Sequence, residues 1–181
     1  QPKREKHTQR IKSAVSSLTG ILNDFLSLSK LEEGKTQAQP TEFVLNDFCQ
    51  DVLGIVKSLL KPDQKLEHNE VQFDRKIFMD KKILKNILLN LLSNAIKYSE
   101  ANKTIYCSIN IENNNLNIII KDEGVGIPKA DQKYLFTRFF RANNVENIKG
   151  TGLGLNIVKR YVDLMNGSID FESEEGKGSV F

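Results

Sequence analysis

Apolar residues at Ile11, Val15, Leu18, Leu22 and Phe25 follow one another in steps of four and three, with Ala14, Ile21 and Leu28 repeating every seven beside them. This stripe predicts one long helix from about Glu5 to Glu33, on the order of 45 Å at about 1.5 Å per residue. Gly34 stands where a left-handed residue closes a helix. The stripe can pack on its own domain, but its width and length are better satisfied by another chain or by a preceding helix. The residues that follow, as far as Pro40, are polar. The pattern therefore divides the chain into a helical unit over 1–34, a linker over 35–40 and a domain over 41–181.

Within the domain, Phe43-Val44 reads as a short strand, and Leu45, Phe48, Val52, Ile55, Val56 and Leu59 recur at helical spacing until Pro62 stops them. Short strands are expected around Leu66 and Phe73. Asp80 suits the N-cap of a helix carrying Ile83, Leu84, Ile87, Leu88, Leu91 and Leu92 on its core face, with Asn90 and Asn94 together on another. Thr104 to Ile111 and Leu116 to Lys121 form a hairpin across Asn113-Asn114-Asn115, and the second strand delivers Asp122 at its end. From Gly124 to Lys149 no steady period appears. A helix from about Gly152 to Met165 then ends at Asn166-Gly167, with strands near Ile169 and at Val180. This irregular alternation indicates an α/β (α+β) two-layer sandwich, with helices on one face of a mixed sheet.

Composition narrows the picture without deciding it. A chain of 181 residues, 39% hydrophobic, suits one ordinary core plus a small appended element. The 26 basic and 23 acidic residues are spread along it, so the net charge of +3 gives no reason to expect nucleic acid. Cys49 and Cys107 belong to no CxxC or Cys/His cluster, which argues against zinc and against a disulfide framework and suits a reducing, cytoplasmic compartment. No apolar run approaches the roughly 18 residues of a membrane span, so no membrane contact is expected of this piece. It opens at Gln1 without an initiator Met and stops at Phe181 in what reads as a strand, which leads us to expect a fragment of a longer protein.

Four short segments carry the candidate chemistry. Asn90 and Asn94, at i and i+4, can serve one site, and Mg²⁺ accepts a single side-chain oxygen when phosphate and water complete its shell. An isolated NxxxN is more often a pair of satisfied amides. Lys97 can reach phosphate as a point charge, or remain solvated; Tyr98 offers a flat face to a base, or packs in the core. Asp122 follows Ile118, Ile119 and Ile120, where a pocket floor meets solvent, and a carboxylate there can accept from the amino group of adenine, where guanine carries a carbonyl. Gly124 and Gly126 let the backbone pass close to a ring. Gly150, Gly152 and Gly154 directly precede a helix, whose free N–H groups and dipole suit phosphates. Arg138 and Arg141 can face a triphosphate while Phe136 and Phe139 anchor the segment, and glycines at both ends of this stretch are what a closing lid requires.

In order and wording, Leu91-Leu-Ser-Asn94-Ala-Ile-Lys97-Tyr98-Ser99, Asp122-Glu-Gly-Val-Gly-Ile-Pro128, Phe136-Thr-Arg-Phe-Phe-Arg141 and Gly150-Thr-Gly-Leu-Gly-Leu155 resemble the N, G1, F and G2 boxes of sensor histidine kinases, in the GHKL ATPase superfamily. Gly176-Lys-Gly178-Ser resembles the last glycine turn of that family. Asn23-Asp-Phe-Leu-Ser-Leu-Ser-Lys-Leu-Glu-Glu-Gly34 resembles the second helix of its dimerisation and phosphotransfer domain. The resemblance implies a Bergerat-type ATP site with Asn94 as magnesium ligand supported by Asn90, and Asp122 on the adenine amino group. It also implies nucleotide contacts from Lys97, Tyr98, Gly124, Gly126, Ile127, Arg138, Arg141, Gly150, Thr151, Gly152, Leu153 and Gly154, with an ATP lid over about 127–150. Catalysis would rest on Asn90, Asn94, Lys97 and Arg138. The resemblance further implies a homodimer through the N-terminal helix, transfer of the γ-phosphoryl group to a histidine and then to a response-regulator receiver domain, and a parent protein that a membrane can anchor elsewhere.

One departure limits this expectation. The family's acceptor histidine lies in a segment like His-Glu-Leu-Arg-Thr-Pro, whereas His7 precedes Thr8-Gln9-Arg10 and His68 lies in a polar stretch. The acceptor helix is thus expected upstream of this chain. Two other readings stay open: an ATP-hydrolysing clamp of the gyrase or Hsp90 sort, and a nucleotide-binding or dimerisation module without turnover. In the clamps a Glu four residues before the metal-binding Asn activates water; here that position is Asn90, and an amide cannot take the proton.

Overall fold

The computed structural model describes residues 2–34, 36–69, 75–145 and 147–181. It divides into two compact units, 1–37 and 38–181. The first is helix α1 (Pro2–Glu32), close to the span that the apolar stripe predicts. Val15, Leu18, Ile21, Leu22 and Phe25 of the stripe are exposed, while Leu28 is buried. Gly34 closes the helix at φ 63°, a conformation that costs a glycine nothing.

The second unit is built on the hydrophobic faces of three helices and a sheet. Strand β1 (Thr41–Val44) leads into α2 (Leu45–Lys57). Then come β2 (Lys65–His68), β3 (Lys76–Met79) and α3 (Lys81–Tyr98). The hairpin β4 (Thr104–Glu112) and β5 (Asn115–Asp122) follows, then the short α4 (Lys129–Gln132), α5 (Gly154–Leu164), β6 (Glu172–Glu174) and β7 (Gly178–Val180). The sheet order is β2-β4-β5-β7-β6, with β2 parallel to β4 and the other pairs antiparallel; β1 and β3 form a separate antiparallel pair. Along β4, Ile105, Cys107 and Ile109 alternate inward and are buried on the side of the sheet that α3 packs against, within the core that the apolar faces of α2 and α5 also help to form. One face of a mixed sheet is thus covered by helices, as the sequence pattern predicts.

Local chemistry explains most element ends. Asp80 caps α3: its Oδ1 accepts from the N–H groups of Lys82 and Ile83, and its Oδ2 from that of Gln39. The β4–β5 hairpin turns on Asn113 and Asn114 alone, both left-handed, with Glu112 opposite Asn115, so the turn is one residue tighter than the expected triplet. At the end of α5, Asn166 is left-handed and the Gly167 N–H reaches Val162 O, which stops the helix at the predicted place.

Two expectations need correction, and a third cannot be placed. Ile55 and Leu59 are exposed, because Ile55 lies at the rim of the α2 stripe and the helix has already ended at Lys57 before Leu59. Ile169 lies in an irregular stretch, and the strand expected there begins at Glu172, where it pairs with β7. The strand that pairs with β1 is Lys76–Met79; the one expected at Phe73 lies outside the described residues. Cys49 and Cys107 are buried free thiols, pushed up to about 11 and about 12 chiefly by loss of solvation. No described helix is long and apolar enough to cross a membrane.

Asp80 joins the start of α3 to the chain entering the domain, so Asp80→Ala is expected to lower stability by about 1–2 kcal/mol, the usual worth of an N-cap. Urea denaturation followed by circular dichroism measures it, and an unchanged midpoint would contradict the assignment.

Candidate nucleotide site

The last two turns of α3, the end of β5 and the start of α5 converge, and the candidate residues lie where they meet. Asn90 donates its amide hydrogen to Asn86 O at 3.0 Å, which aims its Oδ1 away from its own helix. A Cβ at Gly154 would stand 2.9 Å from Asn90 Oδ1 and 4.0 Å from Asn94 Nδ2, so both amides face the first turn of α5. The N-cap of α5 is Leu153, whose buried side chain accepts nothing, so the helix opens without a side-chain cap. Its first N–H groups are available to an anion beside the two amides. Thr151 Oγ1 accepts from the Leu153 N–H and shapes the approach to that helix.

Lys97 and Tyr98 form a second cluster. Lys97 Nζ is 2.9 Å from the Tyr98 hydroxyl and 4.5 Å from its ring centroid. Gly150 lies so close that a Cβ would collide with the Lys97 ammonium group. Gly150 therefore sits directly on the cation, leaving the ammonium between this glycine and α3.

Asp122 ends β5, buried at 6% exposure, with Oδ1 accepting from the Gly124 N–H at 2.8 Å. Burial pushes its carboxyl up to about 6, against the opposing pull of the Gly124 and Ser179 N–H groups. A Cβ at Gly124 would stand 2.6 Å from Tyr98 O and 2.7 Å from Asp122 Oδ1, and the Val125 N–H donates to Tyr98 O. Gly126, at φ 63°, presses its backbone on Glu174 O; any side chain would meet both the strain and the collision. Beyond it the Ile127 N–H donates to Ser173 Oγ. The loop after Asp122 is thus clamped between the end of α3 and the β6–β7 turn.

The described residues of 127–150 are held by single polar side chains that no sequence pattern singles out. Asp131, buried, accepts from the N–H and the amide of Asn143. Asn144 donates to Gly126 O at 3.0 Å and Asn156 to Phe136 O at 2.7 Å, while Gln132 donates to Ile127 O and Ser173 O. Side-chain bonds to the main chain leave no period, and the Asn143-Asn144 doublet was their only trace in the sequence. Phe136 packs edge-on against Phe171, as an anchor should. Phe139 does not anchor: it is 64% exposed and left-handed at φ 59°, and Phe140 packs on Tyr134 in its place. Gly152, at φ 70°, fits against the backbone of Phe139 and Phe140. Arg138 lies exposed on this segment. Arg141 turns inward instead, donating to Val145 O and Ile148 O, and so ties this segment to itself.

Among the described residues no three His, Cys, Asp or Glu side chains gather as metal ligands. The amide oxygens of Asn90 and Asn94 fit a hard cation that takes most of its ligands from phosphate and water, and they do not fit a tightly held transition metal.

Against known proteins, the profile of the family described as "Histidine kinase-, DNA gyrase B-, and HSP90-like ATPase" matches residues 79–181. The circadian input-output histidine kinase CikA of Synechococcus elongatus is 32% identical over 188 residues, spanning 99% of this chain and 25% of that protein. The sensor histidine kinase GacS of Pseudomonas protegens is 35% identical over 189 residues, 99% of this chain and 20% of that one. The chain thus spans about a quarter or less of the length of these relatives. Among solved structures, the histidine kinase AdeS of Acinetobacter baumannii superposes with a TM-score of 0.72 at 23% identity, over 95% of this chain and 80% of that one, which shows the shared fold. The profile covers all three converging elements, and the chain belongs to the family of histidine kinase-, DNA gyrase B- and HSP90-like ATPases.

Proposed function

We propose that this domain binds Mg-ATP and donates its γ-phosphoryl group to a histidine on a dimerisation helix, for relay to the aspartate of a response regulator. The observation that carries the nucleotide assignment is the buried carboxylate of Asp122 at the end of β5, with Gly124 against it. Adenine offers its amino hydrogen to that carboxylate; guanine would set a carbonyl against it, leaving two acceptors face to face in a dry site. The phosphates run toward α5, where N–H groups, Lys97 and the Asn90–Asn94 pair converge, and Arg138 on the lid supplies a further positive charge. Asn94 and Asn90 would hold the magnesium ion, which when bound neutralises charge on the phosphate oxygens.

The protein supplies position and electrostatics for such a transfer. An acceptor imidazole brings its own nucleophile, so no water-activating base is needed. This favours phosphotransfer over hydrolysis, because Asn90 stands where the clamp enzymes need a carboxylate, and its amide is already committed to Asn86 O. The sequence likeness to CikA and GacS, both histidine kinases, supports the same reading. In it, α1 with its exposed apolar stripe is the second helix of a dimerisation domain, and a second copy of the chain completes the bundle. A nucleotide sensor without turnover is the remaining alternative, and the labelling experiment below separates the two.

Asp122→Asn keeps the shape but must turn an NH₂ toward either Gly124 N–H or adenine, so ATP affinity by calorimetry is expected to fall about ten- to a hundredfold. In the parent, affinity is expected to fall as pH drops through about 6, since adenine is best accepted by the ionised form. In the free protein the sign is opposite for folding: the raised carboxyl stabilises the fold fully below its ordinary range and loses that contribution as pH rises through about 6. Equal, pH-independent binding by parent and Asp122→Asn would refute the adenine contact. Asn94→Ala is expected to abolish the tightening of ATP by magnesium; a mutant that magnesium still assists would remove Asn94 as ligand. Finally, the longer parent protein incubated with γ-labelled ATP is expected to yield an acid-labile, base-stable phosphoprotein. Acid-stable label, or phosphate release alone, would point to a hydroxyl acceptor or to hydrolysis.

A further inference from the structure

The far side of the α3 terminus is held by a turn that the nucleotide reading has not used. Lys61 O accepts from the Gln64 N–H at 3.1 Å, Pro62 stands second in the turn and Asp63 third, left-handed at φ 62°, the arrangement of a type II turn. The turn presents two side chains to the end of α3. Gln64, buried at 7% exposure, accepts from the Lys61 N–H through Oε1 at 3.0 Å, which fixes the direction of its amide. Its Nε2 then donates to Ile96 O, Ser99 O and Glu100 O at 3.0, 3.2 and 3.0 Å. Lys61 Nζ donates to Lys97 O at 2.9 Å and also to Ser99 O.

A helix leaves its last carbonyls without intrahelical partners, and here two side chains from one preorganised turn take two of them, Ile96 O and Lys97 O, together with the next carbonyls of the chain, Ser99 O and Glu100 O. The fifth carbonyl of this run, Tyr98 O, points the other way and accepts from Val125 N–H of the loop after Asp122. The backbone over 96–100 is therefore gripped from outside by Lys61 and Gln64 and from inside by the adenine loop. Between the two grips leave the side chains of Lys97 and Tyr98, against which Gly150 closes.

We propose that Gln64 and Lys61 are positioning residues for the phosphate end of the nucleotide site, holding the Lys97 ammonium where phosphate and lid meet it. The assignment rests on the nucleotide reading above. Neither residue touches the ligand; they act through the backbone that carries Lys97. The Lys61 ammonium adds a charge of the favoured sign at the helix C-terminus. The two ends of α3 provide the internal comparison: Asp80 caps its start on the order of 25 Å away, at about 1.5 Å per residue, and touches no site residue.

The test is calorimetry of Mg-ATP and of adenosine on the chain as it exists, at a temperature where circular dichroism shows each variant folded. Gln64→Leu is expected to weaken ATP about five- to tenfold while adenosine changes by less than about twofold, since a misplaced cation costs the phosphate end alone. Lys61→Met is expected to move ATP the same way by less, and Lys61→Arg to restore it. Asp80→Ala, a helix-end lesion of similar kind, is expected to leave both affinities unchanged. ATP binding by Gln64→Leu equal to the parent's, equal losses for ATP and adenosine, or the same loss in Asp80→Ala would each overturn the positioning role. Should Gln64→Leu fail to fold, the Lys61→Met and Lys61→Arg pair decides, with indistinguishable affinities overturning it. A parent chain that binds no ATP overturns the nucleotide reading and this assignment together. A parent that binds, with Asp122→Asn impaired and the turn variants silent, overturns only the latter.

Discussion

A single buried carboxylate governs the layout of this domain. Keeping Asp122 buried requires β5 to end beneath α3, the next residues to double back against Tyr98 O, and β7 to supply the Ser179 N–H from the other side. The last two requirements each recruit a glycine that tolerates close approach, Gly124 on one flank and Gly178 on the other. The core helices and the hairpin bring these pieces together, but the cost of desolvating one acid sets the tolerance to which they must meet. Held between two backbone donors, such a group has a fixed direction, and in the proposed reading that is what lets it discriminate between bases.

In the proposed reading the site has two ends with different physics. At the base end recognition would be short-ranged and directional, resting on hydrogen bonds to the buried Asp122. At the phosphate end it would be electrostatic and shared among a helix terminus, amide oxygens and a lysine. The segment between is irregular, yet it is held by bonds from Asp131, Asn143, Asn144, Asn156 and Arg141 to specific main-chain or side-chain atoms. Irregular backbone fixed in this way can shift as a unit when one bond exchanges for another, a property that a regular helix would lack.

What the sequence revealed and what it hid follow one physical line. Helices α1, α3 and α5, the Asp80 cap and the β4–β5 hairpin were legible because burial on one face imposes a period and because caps and turns demand particular residues. The four boxes were legible for the same reason at smaller scale: glycines and an acid at fixed offsets leave few alternatives. Strand β3 was not, since Phe78 stands 71% exposed at the centre of a four-residue strand and disturbs the expected alternation. Phe139 was misread as an anchor because an aromatic between arginines gives no sign of which way a left-handed backbone will turn it. Gln64, Asn144 and Asp131 were silent, for a side chain bonded to a distant carbonyl is specified by the fold and not by its neighbours in the chain.

The two cysteines, unremarkable in the sequence, give the domain an internal clock. Cys49 on α2 and Cys107 on β4 are sealed in the core, and with their thiols pushed up to about 11 and about 12 almost none of either is thiolate at neutral pH. An alkylating reagent can reach them only when the helix layer lifts from the sheet. The rate at which they are modified therefore reports how often the native protein opens, and a bound nucleotide, by holding the layers together, would slow that clock without touching either sulfur.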